Sequence, residues 1–302
     1  MTENNLKNFS KNISGKIFFD YDLKKTNWFN IGGKAKAFFK PENLSDLSHF
    51  LKNFGKKEKI FVLGVGSNVL INDRGFDGVI IKLGKNFSNI SLLPNKSIIA
   101  GSAATDKIVS NFACEHEIGG LEFLNCIPGT IGGGIRMNSG CFGSEFKDVL
   151  LSVQAINKNG KVLTIPTSSI KFNYRETDLP KDLIFLSASF KGSFKNKSEI
   201  RNKIQNFKKK KDDAQPVRIK TGGSTFKNPI DQTNKKVWEL IKISVPKNTS
   251  FGDAAISEKH SNFFINKKNA TFQDMTKLID FVKKKVKNKT GINLDLEVEI
   301  IN

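Results

Sequence analysis

The sequence predicts an α+β fold for a chain of 302 residues. Three observations predict it. Short apolar runs of strand character are interspersed with stretches of helical spacing. Two such runs over 150–165 flank Lys158-Asn159-Gly160, and Asn-Gly is a strong signal for a hairpin of neighbouring strands. Several strands therefore pair locally, and no internal repeat imposes a regular strand–helix alternation. The length suits two or three domains.

In order along the chain, residues 41–55 read as a helix. Pro41 stands at its start, and Leu44, Leu47, Phe50 and Leu51 form an apolar stripe. Residues 60–64 are a short buried strand, followed by a glycine turn and a second strand at 79–83. A further strand is expected at 98–103, then a helix over 105–116 with Thr105 as N-cap. A glycine cluster fills 128–143, the hairpin follows, and 183–190 is another strand. Residues 197–212 form a very basic helix. Gln215-Pro216 opens a third region, with a helix at 237–243, a strand at 262–266 and a long helix at 271–287. Residues 294–301 close the chain as a strand whose alternation puts Leu294, Leu296, Val298 and Ile300 on one face.

Composition narrows the function. Hydrophobic residues make up 38% and charged residues 26%, a soluble balance. No run approaches the stretch of about 20 apolar residues that a membrane helix needs. The N-terminus lacks an apolar signal core, so a cytoplasmic protein without membrane partners is expected. Cys114, Cys126 and Cys141 are odd in number and fit no metal spacing, which makes them packing residues and predicts no metal site. The net charge of +20 suggests nucleic acid. Lysine, however, far outnumbers arginine everywhere, and the runs 208–211 and 283–287 lie in helical patterns as solvated faces. We therefore expect no nucleic-acid partner; the field would equally concentrate a small polyanionic substrate.

Two glycine segments point to a phosphorylated ligand. The first is Val62–Leu70, VLGVGSNVL. Its glycines allow successive backbone amides to converge on an anion, and Ser67 and Asn68 add side-chain donors. It is not the dinucleotide fingerprint, because Val69 stands where a third glycine is required. The second is Pro128–Gly140, PGTIGGGIRMNSG, whose three adjacent glycines suggest a backbone wrapped against a ligand, with Asn138 and Ser139 as polar groups. Neither segment is a P-loop.

These segments and five others occur in a fixed order: VLGVGSNVLI, GFDGVII, GLEFLNCIPGTIGGGIRMNSG, FNYRETDL, GGSTFKNP, SEKHSNFFIN and LDLEVEI. Together they resemble the UDP-N-acetylenolpyruvoylglucosamine reductase (UDP-N-acetylmuramate dehydrogenase) family over nearly the whole chain. The absence of an insertion between Pro229 and Ser261 resembles its shorter form, which lacks a tyrosine loop. The resemblance implies a PCMH-type FAD-binding fold. Its parts would be subdomain 1 at 1–84, joined by the C-terminal strand 294–302, subdomain 2 at 85–208, and a substrate-binding domain at 209–293. It implies non-covalent FAD, NADPH as co-substrate, a UDP-sugar substrate and a monomer. NADPH would reduce FAD and leave, and the reduced flavin would then give a hydride to the enolpyruvyl double bond in peptidoglycan precursor synthesis, on which cell shape and division depend. Gly64, Val65, Gly66, Ser67, Asn68 and Val69, with Pro128, Gly129, Thr130, Gly132, Gly133 and Asn138, would hold the cofactor.

Hydride addition leaves negative charge beside the substrate carboxylate, so a stabiliser and a proton donor are needed. By resemblance, Arg175 is the stabiliser, and guanidinium geometry suits a carboxylate or enolate. Ser224 in GGSTFKNP is the proton donor; this is not a hydrolase elbow, since the pattern is not G-x-S-x-G. Strand alternation leaves Asp295, Glu297 and Glu299 equivalent, and the resemblance selects Glu297 as assisting protonation. Tyr174, Lys227, Asn228 and His260 would contact substrate, with a structural hydrogen bond the alternative for His260. Arg136, unusual in its segment, faces either a flavin phosphate or solvent. The rival reading is another PCMH-type FAD oxidoreductase with a different substrate and covalent flavin, with Cys126 and Cys141 beside a glycine segment as possible attachment points.

Overall fold

The computed structural model describes residues 3–302. The chain falls into two compact units. One comprises residues up to Phe19, Ala37–Gly64 and Gly78–Lys211, and the other Asp20–Lys36, Val65–Asp77 and Asp212–Asn302. Both mix helices with mainly antiparallel strands, an α+β arrangement.

The first unit has two apolar cores. One surrounds Phe39, Leu47, Phe50, Leu51, Val79 and Ile81. It lies with a four-stranded sheet ordered Lys16–Asp22, Lys34–Lys40, Phe76–Ile81 and Ile60–Val62. Its helix is Leu44–Phe54, three residues later than the Pro41 start expected. The reason is the cap: the Asp46 amide donates to Asn43 Oδ1 at 2.9 Å. Leu44 is exposed and leaves the stripe. Asp46 itself is buried because its carboxylate accepts the Gly15, Glu42 and Ser14 amides at 2.7, 3.1 and 3.2 Å.

The second core of this unit surrounds Val109, Phe123, Ile131, Phe146, Val153 and Phe190. Its five-stranded sheet has the order Val162–Pro166, Leu150–Ile156, Ile184–Phe190, Ile98–Gly101, Ile90–Leu92, all antiparallel. The Asn-Gly hairpin forms as read, with Gly160 at φ 73°. Thr105 caps the helix Asp106–Glu115. The glycine cluster differs from expectation. Ile131–Arg136 is a short helix capped by Thr130, so the three glycines are not an open loop. Their reason is partly packing: a Cβ at Gly134 would overlap the Phe146 ring, and one at Gly132 would meet Ser102 Cβ at 3.3 Å. Gly133 is exposed, and a Cβ there would meet only Thr130 Oγ1, at 3.7 Å.

The basic helix Lys197–Ala214 directs several cations at protein partners. Lys197 and Arg201 pair with Glu115, Lys203 lies 3.2 Å from the buried Glu122, and Lys211 donates to the Cys126 carbonyl at 2.8 Å.

The second unit has a four-stranded sheet ordered Thr221–Ser224, Phe263–Asn266, Ala254–Ile256, Ser250–Phe251. Helix Phe272–Thr290 starts at a capping box, where the Asp274 amide donates to Thr271 Oγ1 and the Thr271 amide to Asp274 Oδ2, each at 3.0 Å. It ends at Gly291 with φ 74°. Val237, Leu240, Phe264, Met275, Leu278 and Val298 build the core. The closing strand is shorter than expected: only Glu299–Ile301 is regular, pairing in parallel with Val69–Ile71. The alternation also fails, since Leu294, Val298 and Ile301 are the buried positions. The pairing strand at 69–71 begins within the first glycine segment, where no strand was expected.

Packing at Gly134 is testable. Gly134→Ala should lower stability by about 1–3 kcal/mol, because the Phe146 ring has no room to retreat. Gly133→Ala should cause no loss, since its side is open and alanine favours helix. Thermal unfolding of the two variants beside wild type measures the difference; equal melting temperatures would refute it.

Candidate active site

The two glycine segments meet where Gly64 approaches Thr130. A Cβ at Gly64 would stand 2.9 Å from Thr130 Oγ1, so only glycine permits the approach. Both residues belong to the first unit. The Gly64 carbonyl accepts from Lys82 Nζ. Burial holds the Lys82 ammonium below its usual pKa, with nearby Lys40 adding to the fall. The segment 128–132 is laced to 102–106: the Asp106 amide donates to the Gly129 carbonyl at 3.2 Å, the Ile131 amide to that of Ala104 at 2.9 Å, and the Gly132 amide to that of Ser102 at 2.9 Å. In the second unit, Gly66 adopts φ 71° and its carbonyl accepts the Trp28 amide at 2.9 Å. Val65, Ser67 and Asn68 are half-buried.

Arg136 is committed to the protein's own backbone. Its guanidinium donates to the carbonyls of Leu179, Pro180 and Leu183 at 2.9, 3.0 and 2.9 Å, and lies 4.5 Å over the Phe185 ring. It clamps the 179–183 loop. Asn138 is also turned inward. It is fully buried; its Nδ2 donates to Glu145 Oε2 at 3.0 Å and to the Asn173 carbonyl at 3.1 Å, and its Oδ1 accepts the Lys147 amide at 3.0 Å.

Tyr174 and Arg175 form the turn between Phe172–Asn173 and Glu176–Thr177. Arg175 has φ 58°, a left-handed conformation uncommon outside glycine. Its Nη2 donates to the Gly140 carbonyl at 2.7 Å, and its guanidinium lies 4.9 Å from the Tyr174 ring centre.

Ser224 and Glu297 lie together in the second unit. Ser224 ends its strand opposite Phe263, after a register shift at Gly223, whose φ is 79°; such a bulge re-aims the side chain that follows. The carbonyl of the next residue, Thr225, accepts the Glu297 amide at 2.9 Å and the Val298 amide at 3.4 Å. Asn68 Nδ2 donates to the Glu297 carbonyl at 2.9 Å, and the Glu299 amide to the Asn68 carbonyl at 3.0 Å. Glu297 is half-buried, whereas Asp295 and Glu299 are exposed, a distinction that alternation did not provide. Lys227 donates its amide to the Asp295 carbonyl at 2.9 Å. Asn228 Oδ1 accepts the Val237 amide at 3.0 Å, securing the start of helix Val237–Ser244.

His260 serves the same region structurally. Its Nδ1 accepts the Asn262 amide at 3.3 Å and its ring meets Phe263 edge-on. Burial lowers its pKa, favouring the neutral ring. Asn262, which sequence reasoning passed over, bonds both backbone groups of Phe226 at 3.0 and 2.9 Å.

Two further residues were not singled out in the sequence, Glu145 and Asp106. A carboxylate two residues past the glycine cluster was the available signal for Glu145. Asp106 is fully buried at the start of its helix, against Gly129, and no well-formed hydrogen bond reaches either carboxyl oxygen. Burial raises its pKa well above the usual carboxylate range and outweighs the opposing pull of the Gly129 backbone. The Cys141 thiol is also pushed up, by its hydrogen bond with Cys126 and by burial, which makes it a poor nucleophile.

Residues 215–301 match the UDP-N-acetylenolpyruvoylglucosamine reductase C-terminal domain, and 35–166 match the FAD binding domain family. The chain is 66% identical over 301 residues to the UDP-N-acetylenolpyruvoylglucosamine reductase of Pelagibacter ubique, covering 100% of both chains. It is 43% identical to that of Rickettsia typhi, over 96% of this chain and 97% of the relative. The crystal structure of the Thermus caldophilus enzyme superposes with a TM-score of 0.82 at 27% identity, over 96% of this chain and all of that one.

Asp106 yields a pH prediction. Its folded pKa lies above the unfolded value of about 3.9. The unfolded chain therefore ionises first at this position, and the contribution of Asp106 to native stability falls as pH rises above about 4 until the folded carboxyl also ionises. Asp106→Asn removes this penalty. Its melting temperature should exceed the wild type's by a margin that grows between pH 4 and neutrality; a margin independent of pH would rule the assignment out.

Proposed function

We infer the division of labour among the residues of this chain, which belongs to the UDP-N-acetylenolpyruvoylglucosamine reductase family. The chain is an FAD- and NADPH-dependent oxidoreductase that converts UDP-N-acetylglucosamine enolpyruvate to UDP-N-acetylmuramate. FAD, when bound, carries the hydride from NADPH to the enolpyruvyl double bond.

The approach of Gly64 to Thr130 is the observation that carries the cofactor assignment. It joins the two segments that the sequence assigned to one ligand, and their backbone amides and small side chains fit a diphosphate approached closely. Gly64–Val69 and Pro128–Gly133 hold the cofactor in this reading. Asn138 is better placed to support the fold around it, since its side chain is directed to Glu145, Asn173 and Lys147. The raised Cys141 thiol favours a non-covalent cofactor.

Arg175 binds the substrate carboxylate and stabilises the negative charge that develops beside it. Ser224 Oγ holds the proton and gives it to the carbon bearing that carboxylate. Glu297 assists that transfer. A hydroxyl is a weak acid, so it acts because the enolate is strongly basic. Tyr174 supports Arg175 through its ring. Lys227 and Asn228 take substrate contacts beyond the bonds they make here, while His260 holds the Asn262 turn.

The domain reading is two cofactor subdomains, 1–84 with 294–302 and 85–208, and a substrate domain at 209–293, although Leu294 and Val298 pack with Phe29, Ile31 and Leu70 in the core around Val237, Phe264 and Leu278. Between Pro229 and Ser261 the chain has room only for one helix and two short strands, as in the form without a tyrosine loop. We place the reaction in the cytoplasm, carried out by a monomer without nucleic acid or membrane, in the peptidoglycan precursor synthesis that supports cell shape and division. No helix of the described residues is long and apolar enough to cross a membrane.

Anaerobic half-reactions test the assignment. In Ser224→Ala, reduction by NADPH should stay within about twofold of wild type. Reoxidation by the enolpyruvyl sugar nucleotide should slow by about 10²–10⁴-fold, the contribution typical of a positioned proton donor. Equal losses in both would remove Ser224 from the proton transfer, and failure of that substrate to reoxidise wild-type protein would overturn the function.

A further inference from the structure

The geometry points to Glu145 as a positioning residue for Arg175, acting in a closed circuit with Asn138. The inference rests on the role of Arg175 given above. Two of the groups against the guanidinium come from one cross-strand pair, Gly140 opposite Glu145. The Gly140 carbonyl accepts from Nη2 at 2.7 Å, and Glu145 Oε1 lies 3.9 Å from Nη1. Gly140 has no space for a side chain, because a Cβ would stand 2.7 Å from Glu145 Cγ.

The other carboxylate oxygen of Glu145 is fixed separately. It accepts from Asn138 Nδ2 at 3.0 Å and pairs with Lys147 Nζ at 2.9 Å. The same Asn138 nitrogen donates to the carbonyl of Asn173, the residue before the Tyr174-Arg175 turn, at 3.1 Å. The buried amide therefore ties the carboxylate to the base of the turn carrying the arginine. The circuit runs from Asn138 through Glu145 to the guanidinium, and back through the turn backbone to Asn138.

This arrangement does what a lone arginine cannot. Its long side chain loses rotamer freedom when it binds a ligand. Here a hydrogen bond to the Gly140 carbonyl holds Nη2, and the Glu145 carboxylate faces Nη1 as an ion pair at 3.9 Å, longer than a hydrogen bond. The side chains of Arg175 and Glu145 are 17% and 20% exposed, so solvent screens their attraction less than on an open surface. The circuit also supports the left-handed turn, a conformation that persists only where its surroundings over-determine it.

The test uses FAD-loaded enzyme and Glu145→Gln. Glutamine keeps an oxygen for Asn138 but removes the charge facing Arg175. Reoxidation by the enolpyruvyl sugar nucleotide should slow by about 10–100-fold, the equivalent of one charge-assisted contact. Reduction by NADPH, flavin content and melting temperature should stay near wild type. In an Arg175→Lys background, the same change should cost less than about threefold, since coupled residues are non-additive. Glu145→Asp, which keeps the charge, should recover part of the rate. Additive losses, or equal slowing of both half-reactions, would overturn the inference. Should Arg175→Ala slow reoxidation while Glu145→Gln runs at the wild-type rate, only the present inference fails. Should Arg175→Ala itself react normally, the assignment of Arg175 fails, and the positioning role with it.

Discussion

The carbonyl of Thr225 accepts the amides of Glu297 and Val298, and Asn68 bonds the carbonyl of Glu297 and accepts the amide of Glu299. This short backbone ladder fixes the end of the chain against the strand that carries Ser224. It also fixes the register of Glu299–Ile301 on Val69–Ile71. A slip of one residue would carry Glu297 to the place of the half-buried Leu296 or the buried Val298 and displace Val298 from the core. Asn262 holds the segment just after the serine strand through both backbone groups of Phe226. The first glycine segment, the serine strand and the acidic terminus of the second unit thus share one set of hydrogen bonds.

Elements determined by neighbouring residues were legible in the sequence. The Asn-Gly hairpin formed because its turn chemistry and both apolar runs are adjacent. The helix after Thr271 formed because Thr271 and Asp274 cap each other. What was not legible depends on distant partners. Val69–Ile71 is three residues long, and the strand that pairs with it closes the chain. Gly134 looked like loop chemistry, but it is required by Phe146, met only after the chain folds. At the site, ordered motifs named Arg175, Ser224 and Glu297, while strand period left three carboxylates equivalent. Burial then set Glu297 apart. Asn138 has the look of a ligand group, because polarity in a glycine stretch does not reveal which way a side chain turns.

Asn138 and Asp106 show two ways of burying a polar group beside the same glycine stretch. Asn138 has partners for its carbonyl and for its amide nitrogen, so its burial rigidifies the structure around it. Asp106 lacks well-formed hydrogen bonds, and burial shifts its equilibrium toward the neutral acid. Arg136 follows the first pattern, holding three carbonyls of one loop. The charge of the long basic helix follows it in part, since Glu115 and Glu122 face its lysines and arginine.

The same logic bears on why an arginine stands in a left-handed turn. A non-glycine residue in that region costs on the order of 1–3 kcal/mol, so the turn has to be held from outside. Gly140, Glu145 and the Asn138 amide supply that hold before any ligand arrives. Charge stabilisation is most effective when the stabilising dipoles need no reorganisation during reaction. A guanidinium on a free loop would have to be ordered as negative charge developed, and part of its effect would be lost to that ordering. Fixing it in the folded chain moves the ordering cost into folding, where the Gly140 hydrogen bond and the Glu145 ion pair share it.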